Sequence, residues 1–469
     1  MRKKVAIIGA GPAGLACAYS LKNNPNFQIE IFEKNSSVGG MAGSFLLWGR
    51  SVDYGPHRFF TKYPEVSELW EKVLGNQKVL INRKTRIYYN NKFFNYPLTA
   101  FNALANLGLR ESIQVILSYF LIKIFPPKHL NTFENWVEFH FGKKLYNIFF
   151  KDYTQKLWGI SGAELDVKFA IQRIKKFSLG EALKSAFNFS RNNHRSITNV
   201  FTYHRNGNGS FYEQIKNDLM VDGAKFHFNC DIEDLIIDSN NCRIKDRGNW
   251  HNFDLIVSTM PITLLYKHLV KLPVTELNNS NLKLHYRNTI LVYVEINVKK
   301  LFDDQWIYIN DKQLKTGRVT NFSNWKIELN SEFSSTILCL EYWCNNTDIL
   351  WNAEDQSIFN IAKSDLELWP VTKGHKILNF HVLKLDKSYP VYGPGYEEDL
   401  EKLIKCIDSY KNVFSIGRAG SFKYNNQDHS LLMGIKTAQK ICGQKHLSLW
   451  SINSDDEYGE ETYINSKVA

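Results

Sequence analysis

Val5-Ala6-Ile7-Ile8-Gly9-Ala10-Gly11-Pro12-Ala13-Gly14 opens the chain, Leu15 to Leu21 follows, and a second apolar run, Ile29-Glu30-Ile31-Phe32, ends on Glu33. The first four residues read as a strand, residues 15–21 read as a helix, and a glycine turn joins them. Strand, glycine turn, helix, strand, acid is the order of a dinucleotide-binding α/β unit. Gly9 permits the tight turn, Gly11 lets the backbone approach a pyrophosphate, and Gly14 lets the helix pack closely on the strands. The helix N-terminus offers unpaired N–H groups and the positive end of its dipole to the phosphates. Glu33 lies about twenty residues on, where a carboxylate accepts the hydroxyls of an adenosine ribose. These residues indicate a dinucleotide without saying which one.

Beyond the acid the chain continues Lys34-Asn35-Ser36-Ser37-Val38-Gly39-Gly40-Met41-Ala42-Gly43. The glycine pair brings backbone close to the cofactor a second time. With it, the sequence resembles the large FAD-binding group that includes amine oxidases, protoporphyrinogen oxidases, phytoene desaturases and UDP-galactopyranose mutases. In that group an acid followed by Gly-Gly marks FAD. The resemblance implies an α/β chain: a discontinuous Rossmann-type FAD-binding domain, a helical insertion and an antiparallel β-sheet substrate domain. The expected division gives residues 1–70, 199–265 and 391–447 to the FAD-binding domain. Residues 71–198 form a mostly helical insertion, 266–390 the antiparallel sheet, and 448–469 an acidic tail.

A length of 469 residues allows a large core and more than one domain. Seven cysteines, scattered without Cys-x-x-Cys spacing, suggest buried thiols in a reducing compartment, so neither disulfides nor a metal site are expected. Cytoplasm is the expected location. A formal net charge of +11 suits nucleic acid, an anionic membrane or an anionic substrate. No nucleic-acid motif accompanies it, and the lysines are spread along the chain. Residues 112–125 (SIQVILSYFLIKIF) are the most apolar stretch, too short to span a bilayer and interrupted by Lys123. They are expected to form a buried helix. The alternative is a surface-inserting helix beside Pro126-Pro127-Lys128, giving peripheral membrane contact. Nothing in the sequence indicates an oligomeric state.

Further runs carry a narrower resemblance. Gly55-Pro56-His57-Arg58-Phe59-Phe60-Thr61 reads as a turn presenting His57, and Arg86 to Leu98 as a hairpin around Asn90-Asn91. Further on, Leu145, Phe149 and Tyr153 fall on one helical face, a pattern that by itself suits a core stripe as well as a ligand site. Tyr153-Thr154-Gln155-Lys156-Leu157-Trp158-Gly159, then Glu164-Leu165, then Arg173, follow in that order. UDP-galactopyranose mutases are similar in all of this: a Gly-Ala-His-Ile-Phe-His-Thr run, then Tyr-Thr-x-Lys-x-Trp-Gly, Glu-Leu and an arginine. The resemblance implies that His57 lies near the flavin and that Tyr153 stacks on a uracil, with Trp158 and Arg173 lining the same cleft. Tyr203, in the loop 201–211, is placed on the substrate side as well. Phe60 replaces the mutases' second histidine.

Ile232 stands where the FAD group usually has a valine whose backbone meets the adenine. Tyr286-Arg287-Asn288 resembles the mutases' Tyr-Arg-Ser run, whose arginine faces the substrate phosphates. Arg287 and His57 are therefore the expected catalytic residues beside a flavin that does most of the chemistry. Gly417-Arg418-Ala419-Gly420, with Tyr424, Asn426 and Gln427 after it, resembles the mutases' closing Gly-Arg run. That implies cofactor contacts from Gly417, Arg418 and Gln427, and substrate contacts from Tyr424 and Asn426, although Asn426 stands where the mutases have an acid. The leading expectation is an FAD-dependent enzyme acting on a nucleotide-linked sugar through a reduced flavin. The alternative is an FAD-dependent oxidoreductase of the amine-oxidase or protoporphyrinogen-oxidase type. A flavin-bound scaffold without turnover is the third.

Overall fold

A computed structural model of the chain describes residues 2–174, 200–238, 241–270, 282–325, 332–444 and 448–453. Lys3–Ile8 is the central strand of a five-stranded, all-parallel sheet. Phe27–Phe32 and then Lys225–His227 lie on one side of it, Leu255–Ser258 and then Val413–Ser415 on the other. Distant parts of the chain thus complete one Rossmann-type sheet. Alternation along the first strand explains its burial. Val5 and Ile7 enter one hydrophobic cluster with the helices Pro12–Leu21 and Gln427–Ile441, while Ala6 and Ile8 enter another on the opposite face. Both faces are covered, as parallel sheets require.

The second sheet has seven strands, in the order Ile377–Val391, His285–Ile296, Thr336–Cys344, Arg318–Asn321, Trp306–Ile309, Thr85–Tyr89 and Lys92–Asn95. All pairings are antiparallel except Trp306–Ile309 with Thr85–Tyr89. Asn90 and Asn91 have φ of 48° and 58°, the left-handed pair that a tight hairpin turn needs. This hairpin falls in the segment expected to be mostly helical, yet it extends the seven-stranded sheet. His285–Ile296 and Thr336–Cys344 are buried almost throughout because Ile358, Ala362 and Leu366 cover one face, while Val52, Tyr203 and Trp325 cover the other. Of the sheet's aromatic residues, Trp306, Trp325, Tyr342 and Trp343 are buried and Tyr308 is half-buried.

Helices Ala100–Leu107, Leu109–Ile124, Phe133–Phe141, Lys143–Phe149, Lys151–Trp158 and Val167–Ile174 pack on one another and reach the large sheet at Lys92–Asn95 and Thr336–Cys344. The single helical face expected for Leu145, Phe149 and Tyr153 is broken at Phe150. Asn310 Nδ2 donates to the Phe149 carbonyl at 2.7 Å, and the chain restarts at Lys151. Leu145 and Phe149 stay in the core, whereas Tyr153 turns toward Tyr308 and Trp343. Residues 112–125 do not form the buried helix expected of them: only Val115 is buried, and Leu117, Phe120, Leu121, Ile124 and Phe125 are more than half exposed. Among the described residues no helix is long and apolar enough to cross a membrane. All seven cysteines are free.

Candidate active site

The candidate residues lie on two walls, one built by the parallel sheet and one by the large sheet with Lys151–Trp158, and His57 feels the charge of Arg418 from the first and Arg318 from the second. The first begins at the glycine turn. Gly9 has φ +97°, and a Cβ on Gly14 would lie 2.1 Å from the Gly9 carbonyl oxygen, so neither position accepts a side chain. Gly11 is the N-cap of Pro12–Leu21. The second glycine loop folds onto the first: Gly39 N donates to Ala10 O at 2.8 Å, and a Cβ on Gly40 would lie 3.1 Å from Gly11 Cα. Glu33 caps the end of the second strand, 5% exposed. Its two oxygens accept N–H bonds from Ala10 at 2.7 Å and Asn35 at 2.9 Å. Burial pushes its carboxyl upward, and those N–H bonds oppose the shift. Ile232, half-buried just after Cys230, packs with Phe32 in the cluster under this end of the sheet.

Gly417 and the helix Gln427–Ile441 close the same wall. Gly417 has φ +82°, and a Cβ there would come within 3.2 Å of Ala13 Cβ. Gln427, first residue of its helix, accepts from Tyr212 at 2.7 Å and Asn208 at 3.0 Å, while its Nε2 is buried without a partner among the described residues. Asn208 Oδ1 beside it is in the same state. A dinucleotide fits these residues: bare backbone at the phosphate turn, a carboxylate at the ribose position, and orphaned amide groups at a helix N-terminus. Asn426 is the N-cap of that helix, in a capping box with His429. An asparagine serves this capping role without an acid's charge.

Arg418, half-buried between the walls, donates from Nε to Asn425 O at 2.8 Å and from Nη1 to Ser388 O at 3.2 Å. Its guanidinium lies over Tyr389 and Tyr424, 5.3 and 5.4 Å from the ring centres. Tyr389 is pushed up to about 12 by burial and by Tyr424, so its phenol keeps its proton. His57 is half-buried, with Nδ1 3.1 Å from Gly55 O. Burial, with the Arg418 and Arg318 charges, pulls it down to about 3. The ring is therefore neutral, Nδ1–H donates to Gly55, and Nε2 keeps a lone pair.

The opposite wall holds a pair that sequence reasoning missed. Arg318 and Glu341 face each other across neighbouring strands. Nε and Nη2 of Arg318 each donate to a Glu341 oxygen at 2.6 Å, a bidentate bond to a carboxylate with 1% exposure. Burial opposes the arginine's charge, but Glu341 holds it on. The signal was present: Glu341 is the lone charge in Thr336–Cys344. Tyr153, half-buried, stands edge-on to Tyr308 at 5.6 Å and Trp343 at 5.8 Å, on this same wall.

Three of the expected site residues are buried. Arg287 is 4% exposed and donates to the carbonyls of Lys156 (3.2 Å), Leu157 (3.2 Å) and Trp343 (2.7 Å). It closes the C-terminus of Lys151–Trp158, where a cation meets orphaned carbonyls and the negative dipole end. Gly159 makes room, since a Cβ there would sit 2.5 Å from Arg287 Nη1. That Nη1 also lies 3.7 Å from a carboxylate oxygen of Asp348. Trp158 is 1% exposed and lies beneath Tyr424, edge-on at 5.6 Å, as a support for the cleft floor. Tyr203 is enclosed, with its hydroxyl donating to Asp53 at 2.6 Å and its ring 5.2 Å from that of Trp325. Arg173 lies in Val167–Ile174, and its side chain falls outside the described residues.

A family model described as NAD(P)-binding Rossmann-like domain matches residues 7–73. Coproporphyrinogen III oxidase of Staphylococcus aureus is 20% identical over 430 residues, covering 86% of this chain and 91% of that protein. Among solved structures, a reduced UDP-galactopyranose mutase has a TM-score of 0.83 at 20% identity, covering 98% of this chain and 99% of that one. A putrescine oxidase variant has a TM-score of 0.63 at 12% identity, covering 95% and 100%. By its fold and its glycine cradle the chain is similar to the FAD-dependent amine oxidases and protoporphyrinogen oxidases, as an enzyme whose cofactor is FAD.

Proposed function

We propose that the enzyme acts on a nucleotide-linked sugar, bound between the FAD wall and the Arg318–Glu341 wall. The observation that carries this reading is the composition of the second wall. It joins a half-exposed tyrosine flanked by Tyr308 and Trp343 to a bidentate arginine, with Arg418 across the cleft. Tyr153 offers a flat π face, which suits a nucleobase. Arg318 has Nη1 left after binding Glu341, and with Arg418 it supplies cationic donors for a diphosphate. His57 Nε2 accepts a hydroxyl of the sugar and stays neutral while doing so. Bound FAD supplies a nucleophilic ring when reduced and a hydride acceptor when oxidised. The similarity in fold to a UDP-galactopyranose mutase supports the reading.

The second reading is an FAD-dependent oxidoreductase taking a hydride from an apolar substrate. Phe60 and Asn426 favour it, because each replaces a polar or charged group of the mutase runs, and the porphyrinogen-oxidising relative agrees. UDP added to the purified yellow protein separates the two. A change in the flavin spectrum or tryptophan fluorescence supports the nucleotide reading. No response, together with no conversion of UDP-galactofuranose by chemically reduced protein, favours the oxidoreductase.

A further inference from the structure

Leu109–Ile124 carries a continuous apolar stripe with nothing packed on it among the described residues. Leu109, Ile113, Leu117, Phe120, Leu121 and Ile124 are between 49% and 81% exposed, and Phe125 beyond the helix is 74% exposed. At 3.6 residues per turn these six helix positions fall within an arc of roughly 120°. A helix apolar all round needs a partner on each face. Here the inner face has partners in Ala100–Leu107, Phe133–Phe141 and Lys143–Phe149, and the outer face is exposed.

We infer that this stripe docks on the surface of an anionic phospholipid bilayer. Charge decides between that occupant and a second copy of the chain. Residues 112–122 carry no charge; Arg110 and Lys128 stand exposed beyond the two ends of the uncharged stretch, and Glu111 beside Arg110 is paired with Lys144 at 2.8 Å, so each end keeps a net positive charge. Lys123 near the C-terminal end lies over the Phe139 ring at 3.5 Å, extending the cationic rim along the protein. Sixteen residues make a rod of about 24 Å, too short to cross a bilayer but suited to lying in the interface plane with basic ends at the headgroups. Self-association through this face would bring two chains of formal charge +11 together, with like charges at both ends of the contact. A bilayer containing anionic lipid has the complementary charge.

The test is flotation of the FAD-loaded enzyme with vesicles of phosphatidylcholine alone or mixed with phosphatidylglycerol. Flotation with the mixed vesicles is expected. It should fall at least about tenfold in the Leu117→Ser/Leu121→Ser/Ile124→Ser variant, and more weakly in Arg110→Glu/Lys128→Glu. All replaced side chains are exposed, and an unchanged flavin spectrum shows that each variant is folded. Wild-type enzyme that stays with the buffer at low salt overturns the inference, as does a serine variant that floats like wild type. A wild-type dimer that the serine variant converts to monomer, without flotation, assigns the face to a second copy instead.

Discussion

Replacing Glu341 by glutamine leaves the shape of the cleft wall and removes one charge from beneath Arg318. Both carboxylate oxygens lie 2.6 Å from guanidinium nitrogens, and Glu341 is 1% exposed. Two unit charges about 4 Å apart attract by about 4 kcal/mol at an effective dielectric near 20. Removing one partner of a buried pair costs about 3–5 kcal/mol, because the other charge is left without compensation. The Arg318 side chain is 15% exposed, so water reaches part of it, and the lower end of about 3 kcal/mol is expected. Urea unfolding of the FAD-loaded enzyme, followed by tryptophan fluorescence, reads this directly. The Arg318→Met/Glu341→Leu double variant should recover most of the loss, since no lone charge remains, yet lack the response to UDP. A Glu341→Gln enzyme within about 1 kcal/mol of wild type would refute the pair as a buried electrostatic unit. A double variant that still responds to UDP would remove Arg318 from ligand binding.

Arg287→Met should lower stability by about 2–4 kcal/mol through three abandoned carbonyls, with the affinity for UDP unchanged; a weakened affinity at intact stability would return Arg287 to the substrate side. Gly434→Ala should cost about 1–3 kcal/mol and shorten FAD retention on gel filtration, because its Cβ would meet Ala13 O at 2.3 Å and push apart the two helices of the cofactor wall. His57 sits at about 3 in the folded enzyme against 6.5 unfolded, so between those values only the unfolded chain takes the proton. Stability should therefore fall as pH drops from 6.5 toward 3, at up to about 1.4 kcal/mol per unit from this group. His57→Gln should flatten the melting temperature against pH in that window, and an identical slope would contradict the neutral assignment.

The cofactor half of the molecule was legible because its determinants are local. A turn that needs bare backbone, a helix start and an acid at the end of the next strand lie within thirty residues, and each constrains the others through short-range geometry. Gly417 lies at a helix start as well, whereas Asn426, expected on the substrate side of a helix beginning at Ser430, is the N-cap of a helix that begins at Gln427. Arg287 was not legible in this way. Its partners Lys156 and Leu157 lie 131 and 130 residues away, and no spacing distinguishes an arginine that faces a phosphate from one that closes a helix. Similarly, the composition of residues 112–125 fixes a helix and its apolarity, while the side on which neighbours pack depends on the whole helical layer.

Arg318 and Glu341 mark the boundary between the two cases. Each sits in a strand whose existence the alternation predicts, but their meeting depends on the register of one strand against the next. A slip of one residue would turn Glu341 to the other face of the sheet, among Leu338, Leu340 and Tyr342, where an ionised carboxylate has no cation to meet. The pair therefore fixes the register as well as furnishing the wall. The same reasoning explains why a lone acid in an apolar strand is worth pursuing from sequence. Nine residues that otherwise bury hydrocarbon tolerate a carboxylate only where the fold brings a cation to it, and here that cation faces the cleft.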